Sequence, residues 1–118
     1  MIPVGVQVFV ALTPVDMRSG FDRLAGLARE HMGYEARSGA LFVFVGKRRT
    51  TIKVLFFDGS GMCIFHKRLD HCTFALPEAP SEGITHLEMD EGSFEALLDG
   101  IEISPQTSTK RVVKRRLH

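Results

Sequence analysis

Hydrophobic residues alternate with small or polar residues at the start of the chain. Valine occupies every second position from Val4 to Val10, and Leu12 continues the series. A period of two places these side chains on one face of a β-strand. The pattern therefore predicts a first strand with its valine face turned inward, followed by a turn at Thr13–Asp16 in which Pro14 ends the ladder.

A helical pattern follows this turn. Ser19–Asp22 has the form of a capping box, with Asp in place of the usual Glu. Apolar residues then recur at helical spacing: Phe21, Leu24, Ala25, Ala28 and Met32. Gly33 supplies a C-terminal stop. The sequence predicts one amphipathic helix over residues 20–32.

The middle of the chain reads as consecutive strands joined by short turns. Leu41–Val45 is apolar on both faces, and Ile52–Phe57 and Met62–Leu69 flank the hairpin signal Asp58–Gly61. A further short strand is expected at Thr73–Leu76. These segments predict an antiparallel meander.

A second helix is expected near the end of the acidic region. Asp90 is placed to cap it, Phe94, Leu97 and Leu98 would form its buried stripe, and Gly100 would close it. The predicted fold class is α+β: a single antiparallel β-sheet of about four to five strands, with two helices packed against it.

Length and composition narrow the class of protein. The chain has 118 residues, 44% of them hydrophobic, which indicates one soluble globular domain. Two cysteines are too few for a disulfide framework, and no apolar run approaches the ~20 residues of a membrane span. We therefore expect a cytoplasmic protein with a single α+β domain over residues 1–103 and a basic C-terminal tail over 104–118.

Charge is unevenly distributed although the formal net charge is only +1. Residues 78–102 contain eight acidic residues and no Lys or Arg, whereas residues 103–118 contain five basic residues and no acid. Blocks of like charge indicate solvated or interacting surfaces. The basic tail could bind phosphate backbones, or it could fold back on the acidic segment; the sequence leaves both alternatives open.

Candidate catalytic groups have simpler structural explanations. Cys63, His66, His71 and Cys72 are suitable zinc ligands, but strand alternation should place Cys63 and His66 on opposite faces. Acidic residues outside the acidic segment fall at turns and helix starts. No phosphate-binding loop or serine nucleophile motif is present in the sequence. We predict no enzymatic activity, no metal, no cofactor, no small-molecule substrate and no membrane partner.

Basic residues offer a better candidate function, which is binding of DNA phosphates. They lie near the first helix, in the turn at Gly46–Thr50, on the hairpin and in the tail: Arg18, Arg23, Lys47, Arg48, Arg49, Lys53, Lys67, Arg68, Lys110, Arg111, Lys114, Arg115 and Arg116. The hairpin is expected to bring Lys53 near Lys67 on one sheet surface. The alternative is that these charges only keep edge strands soluble. For the interleaved Phe56, Phe57 and Phe65, burial in the core is favoured over stacking on bases.

Several motifs in order along the chain resemble a known family. They are Val15–Ala25, Leu41–Phe44, Lys47–Arg49, Ile52–Leu55, Asp58–Gly61, Lys67–Leu69, Phe74 and Phe94–Ile101. Together they resemble the TnpB-type second-reading-frame protein of the IS 66 class of bacterial insertion sequences, over roughly residues 2–101. The chain departs from the family in having Phe56-Phe57 where tryptophan is common before the Asp-Gly turn.

This resemblance implies an accessory protein of transposition, because a separate, larger transposase supplies the catalytic carboxylates in such elements. The first hypothesis is a non-catalytic factor that helps to assemble the transposase–DNA complex through its basic residues. The alternative is a protein–protein adaptor that binds the transposase of the same element through its acidic 78–102 segment, with Glu88, Glu91 and Glu95 as contacts, and never touches DNA. No helix-turn-helix or zinc finger is recognisable, so the sequence discloses no preferred DNA sequence.

Overall fold

The computed structural model describes residues 5–100 in full, together with the backbone of residues 102–103 and 112–113. The five basic residues of the expected tail lie outside the described residues, and the boundary between domain and tail stays a prediction. Within the described part of the chain, no helix has the length and apolar character needed to cross a membrane.

A five-stranded sheet is flanked by helices. Its elements are β1 (Val8–Ala11), α1 (Phe21–Leu27), a π-helical turn (Ala28–Met32), a 3-10 turn (Ala36–Ser38), β2 (Leu41–Val45), β3 (Thr51–Phe57), β4 (Met62–Arg68), β5 (His86–Met89) and α2 (Glu91–Leu98). Two short strands, β6 (Glu102–Ile103) and β7 (Val112–Val113), pair with each other in a separate ladder. The α+β class, the single main sheet and the two helices are confirmed.

The strand order in the sheet is β4-β3-β2-β1-β5. Strands β2, β3 and β4 form the expected antiparallel meander, and β5 runs antiparallel to β1. The prediction of an entirely antiparallel sheet is wrong in one ladder, because β1 and β2 are parallel, with Val8 opposite Leu41. Residues 12–40, which include α1, form the long crossover that a parallel pair requires.

Strand β1 is buried on both faces, which corrects the prediction of a single inward valine face. Val8 and Val10 face α2, whereas Phe9 and Ala11 face α1, and all four are buried. The reason is position: β1 lies between β2 and β5, and helices cover the sheet on both sides. A strand with covered faces needs apolar residues at every position.

The first helical segment extends over residues 21–32, close to the prediction, and its second half winds as a π-helix. Leu24, Ala28 and Met32 are buried against the sheet, and Gly33 ends the segment with φ 81°. The predicted capping box does not form: Gly20 is the N-cap and no side chain caps the helix. Phe21 was expected on the buried face but is 49% exposed.

The second helix begins as predicted. The Asp90 side chain accepts a hydrogen bond from the Ser93 N–H at 2.7 Å, which satisfies one of the free donors of the first turn. Phe94 and Leu97 pack into the core between α2 and the sheet. Gly100 follows with φ 77°, in the left-handed region that favours glycine.

Two assignments between β4 and α2 need correction. Residues 73–76 do not form a strand. The Phe74 N–H instead donates to the Arg49 carbonyl at 2.6 Å, and the Phe74 side chain is fully buried. The strand in this region is β5, which was not predicted. Its alternation of Leu87 and Met89 with His86 and Glu88 is a period-two signal of only four residues.

Candidate nucleic-acid interface

The carboxyl ends of the parallel strands β1 and β2 lie side by side, and the segments that follow them meet there. The loop after β1 is tied to the end of β2 by a hydrogen bond from the Val15 N–H to the Val45 carbonyl at 2.9 Å. The turn after β2 closes through the Arg49 N–H, which donates to Gly46 at 2.9 Å. Open α/β sheets commonly bind ligands at this end of their strands.

Gly46 permits the close contact between the two segments. A Cβ atom at this position would lie 2.7 Å from Met17 Cγ and 2.8 Å from Thr51 Oγ1. Both distances are shorter than any ordinary carbon contact, so a side chain here would force the Met17 and Thr51 side chains to move. The glycine therefore allows Met17 of the loop and Thr51 of β3 to pack directly against the turn.

A shallow depression of about 470 Å³ opens between the loop and the turn. Arg18 from the loop, Lys47 and Arg48 from the turn and Arg68 from the end of β4 all line it, and all four are exposed. We call this the basic depression. Four of the predicted site residues, from three separate segments of the chain, are thus brought together. Among the described residues, Asp16 is the only acidic residue in the lining.

The Asp16 carboxylate forms an ion pair with Arg18. The Asp16 carboxylate accepts bonds from Arg18 Nε at 3.1 Å and Nη2 at 2.8 Å, and from the Arg18 backbone N–H at 2.9 Å. These hydrogen bonds hold the pKa of Asp16 well below its ordinary value. The pair fixes Arg18 at the rim and offsets its charge. The sequence pattern placed Asp16 in the turn at Thr13–Asp16 and did not indicate this pairing.

Arg49 differs from its neighbours in the turn. It is exposed, but it does not line the basic depression. Its backbone has φ 61°, an unusual conformation for a residue other than glycine, and its carbonyl accepts the bond from Phe74. The position of Arg49 is thus explained by the turn that anchors Phe74.

Lys53 and Lys67 do not share a sheet surface, which corrects the expectation for the hairpin. The register places Lys53 opposite His66 and Lys67 opposite Ile52, so the two lysines point to opposite faces. Lys53 Nζ donates to the Ser19 carbonyl at 2.8 Å, just before α1. Lys67 Nζ donates to the Leu98 carbonyl at 2.8 Å, at the end of α2. Each lysine ties a helix end to the sheet.

Arg23 lines a second cleft of about 250 Å³ beside the basic depression. Val15 and Asp16 line both cavities, so the two are adjacent. Arg23 is exposed, and His31 and Thr85 also line the cleft, where the Thr85 hydroxyl donates to the His31 carbonyl at 2.6 Å. Arg23 thus extends the basic surface from the depression toward α1.

The hairpin phenylalanines have different environments. Phe56 packs against the core on the α2 side, as expected, and Phe57 is half-buried with the Arg37 guanidinium 5.9 Å from its ring centre. Phe65 is 42% exposed on edge strand β4, so its predicted burial is wrong. It lies opposite Val54 on the α2 face, away from the Arg68 side of the strand.

The acidic segment does not form one surface. Glu88 lies on β5 opposite Phe9, and therefore on the α1 side of the sheet. Glu91, Glu95 and Asp99 are exposed at intervals of four residues along α2 and its end, on the other side. The three contacts of the adaptor hypothesis thus divide between two faces of the protein.

The cysteine and histidine residues are dispersed. Cys63 lies opposite Phe56 and His66 opposite Lys53, so they face opposite sides as strand alternation predicted. Both cysteines are free thiols. Within the described ranges, no group of three or more His, Cys, Asp or Glu side chains could hold a metal ion.

Comparison with known proteins gives one family. Over 116 residues the chain is 36% identical to "Uncharacterized protein y4hO" of Sinorhizobium fredii, covering 97% of this chain and 98% of that protein. It is 32% identical over 98 residues to "Uncharacterized protein y4jC" of the same organism, covering 83% of this chain and 81% of that one. No solved structure matches. The model of the family described as "IS66 Orf2 like protein" matches residues 6–108. The chain therefore belongs to the IS66 Orf2-like family and has an accessory role in transposition of this class of insertion sequence.

Proposed function

We propose that the protein is a non-catalytic accessory factor that binds the phosphate backbone of DNA at the basic depression and so helps to assemble the transposase–DNA complex. The observation that carries the proposal is the convergence of Arg18, Lys47, Arg48 and Arg68 on one open surface. Among the residues that the structure describes, one carboxylate, that of Asp16, faces four cations in this lining.

The surroundings of these side chains support a phosphate site over a role in folding. Lys53 and Lys67 are hydrogen-bonded to helix ends, whereas Lys47, Arg48 and Arg68 make no hydrogen bond or ion pair through their side chains within the described residues. Exposed, unpaired cations on one surface attract phosphates without reading bases. The depression is open and shallow, as contact with a polyanion requires.

Removal of cations from the basic depression should reduce the salt dependence of DNA binding. Lys47→Gln together with Arg48→Gln removes two cations from the depression. The magnitude of the slope of log K against log salt concentration should fall by about 1.8, because each phosphate contact contributes about 0.9. The measurement is fluorescence anisotropy of a labelled duplex carrying an element end, titrated with the full chain at several salt concentrations.

A matched control separates this site from general charge. Arg29→Gln together with Arg37→Gln removes the same charge from exposed positions outside the depression. The control should retain nearly the whole slope of the unmodified protein. Equal slopes in the two double variants would reject the basic depression as the contact surface, and absence of binding at low salt would reject DNA contact altogether.

Asp16→Asn should have the opposite effect. The change removes a negative charge from the lining and weakens the bond between residue 16 and Arg18. We expect DNA affinity to rise by about two- to fivefold at low salt, the range that corresponds to one exposed ion pair. Glu82→Gln, in the exposed connector before β5, is the charge-matched control and should change affinity little. Weaker binding by Asp16→Asn would indicate that positioning of Arg18 outweighs charge.

The acidic stripe on α2 favours a second candidate, an adaptor that binds a basic surface of the transposase. Glu91, Glu95 and Asp99 are exposed at the four-residue interval of one helix face. Glu91→Lys with Glu95→Lys should abolish co-purification with the transposase of the element and leave the salt slope for DNA unchanged. Loss of co-purification in the Lys47→Gln, Arg48→Gln variant instead would place the transposase on the basic depression.

A further inference from the structure

Strand β4 forms one edge of the sheet and is long for an edge strand. It spans the seven residues Met62–Arg68 and, among the described residues, pairs only with β3. Its first five residues carry no Lys, Arg, Asp, Glu or Pro, the residues that commonly protect edges. The opposite edge, β5, has only four residues, including Glu88. The β4 edge is therefore the more open of the two.

The hydrogen-bonding pattern of the β3–β4 ladder identifies which backbone groups of β4 are free. The Asp58 N–H bonds to Gly61 at one end, and the Leu69 N–H bonds to Thr50 at the other. Hydrogen-bonded pairs alternate along an antiparallel ladder, so Cys63, Phe65 and Lys67 direct their backbone groups toward β3. The other positions direct theirs outward: Met62, Ile64, His66 and Arg68. No backbone hydrogen bond reaches these outward groups from any described residue.

Phe65 is the middle residue of this strand and its side chain is 42% exposed. It lines an apolar groove of about 390 Å³ on the α2 side of the sheet, together with Phe56, Phe94 and Leu98. An exposed aromatic side chain beside an unpaired strand edge is a combination suited to strand addition.

We propose that β4 is a self-association surface, on which a second copy of this chain adds its own β4 in antiparallel orientation about a two-fold axis at Phe65. Seven residues centred on Phe65 pair completely in this register. His66 lies opposite Ile64 of the second copy, and Arg68 lies opposite its Met62, so all four outward positions form hydrogen-bonded pairs. Phe65 faces its own equivalent in a close, non-hydrogen-bonded pair.

The register centred on Phe65 pairs the whole strand and avoids charge repulsion. Lys67 lies opposite Cys63 of the second copy, and no two like charges are directly opposed along the strand. A shift that centred the axis on His66 would oppose two histidines and leave the start of each strand unpaired. Complete pairing and the contact between the two Phe65 side chains therefore favour a second copy of this chain as the partner. Its own β4 is exposed at the edge of its sheet in the same way.

The arrangement would place the two basic depressions at opposite ends of the paired β4 strands, because each depression includes Arg68 at the end of its own β4. Arg68 and its equivalent lie at opposite ends of the paired strands, six residues or about 20 Å apart along the strand direction. Self-association does not depend on DNA binding, so it can be tested on the protein alone.

Charged substitutions at Phe65 provide the test, since this residue would face itself. Sedimentation velocity of the full chain over a wide concentration range should reveal a dimer for the unmodified protein. Phe65→Lys and Phe65→Glu should each raise the dimer Kd by on the order of tenfold or more, and an equimolar mixture of the two should restore dimerisation. Phe21→Lys, which changes another exposed phenylalanine, should dimerise normally.

A backbone substitution checks the edge independently. His66→Pro removes an outward N–H that β3 does not use, so the monomer should keep its circular dichroism spectrum while dimerisation is lost. The proposal would be overturned if the unmodified protein stayed monomeric at all concentrations. Capture of a strand from another protein would not rescue it. Dimers that persist in all β4 variants would assign self-association to another surface. Failure of the Lys and Glu variants to pair with each other would overturn the register centred on Phe65.

Discussion

Phe9→Ala is expected to lower the free energy of unfolding by about 3–5 kcal/mol, the cost of removing a large aromatic side chain from a packed core. Phe9 is 1% exposed on central strand β1. Its ring stacks on Tyr34 with centroids 4.1 Å apart and lies 6.0 Å from Phe42. His86 on β5 contacts it edge-on at 5.9 Å. The substitution therefore opens a cavity where the crossover, β2 and β5 meet.

Such a loss is large for a domain whose total stability is expected to be about 5–15 kcal/mol. Thermal denaturation followed by circular dichroism should give a Tm lower by roughly 10–20 °C. Phe21→Ala is the matched control, because Phe21 is the same residue type and is half exposed, and it should cost less than about 1 kcal/mol. Similar losses in the two variants would mean that Phe9 does not anchor the α1 side of the core.

Phe94→Ala is expected to have a similar effect on the other side of the sheet, again about 3–5 kcal/mol. Phe94 is 2% exposed and packs with Leu97 against Val8 and Val10. It is the largest buried side chain of α2. Its loss should release α2 from the sheet and with it the Lys67 bond to Leu98, so urea denaturation should show a lower midpoint.

Phe65→Ala is the corresponding control on the α2 side. Phe65 lines the same apolar groove as Phe94 but is 42% exposed in the single chain, so its truncation should cost less than about 1 kcal/mol. The measurement must use protein dilute enough to be monomeric, since dimerisation would add its own stabilisation. Equal costs for Phe65 and Phe94 at such concentrations would contradict the assignment of Phe94 as the anchor of α2.

Local features of the fold could be predicted from local sequence. The Asp58–Gly61 turn and the cap at Asp90 depend on residues a few positions apart, and both form as the sequence indicated. Asp58 accepts bonds from the Ser60 and Gly61 N–H groups at 2.9 Å, as a turn aspartate does. The location of β1 between two strands could not be predicted this way, because strand order depends on contacts between residues far apart. The alternation in β1 therefore predicts that Phe9 faces outward, although the fold buries it.

The separation of Lys53 from Lys67 is, by contrast, contained in the register of the hairpin. With the four-residue turn Asp58–Gly61, Phe57 pairs with Met62, and counting back along both strands pairs Lys53 with His66. Adjacent residues on a strand point to opposite faces. Because Lys67 is the neighbour of His66, the turn length alone is enough to place the two lysines on opposite faces.

The basic depression itself depends on the three-dimensional arrangement of the strands. Arg18 and Lys47 lie on separate segments that meet only because β1 and β2 are parallel neighbours. The sequence marked the individual cations as candidates, and the fold determined which of them gather and which bond to helix ends. Phe65 is the reverse case: an apolar residue in a strand pattern is expected to be buried, but β4 lies at the edge.

The central position of β1 also has a consequence for how the chain acquires its structure. β1 lies near the beginning of the described chain, yet one of its partners is β5, about 80 residues later. Adjacent β2, β3 and β4 can pair as soon as they leave the ribosome, because their loops are short. β1 can join β2 only after the crossover closes, and its other edge stays unpaired until β5 is made. We therefore expect release of an incomplete chain that lacks β5 to yield a species prone to aggregation, and complete synthesis through α2 to be the step that makes the fold cooperative.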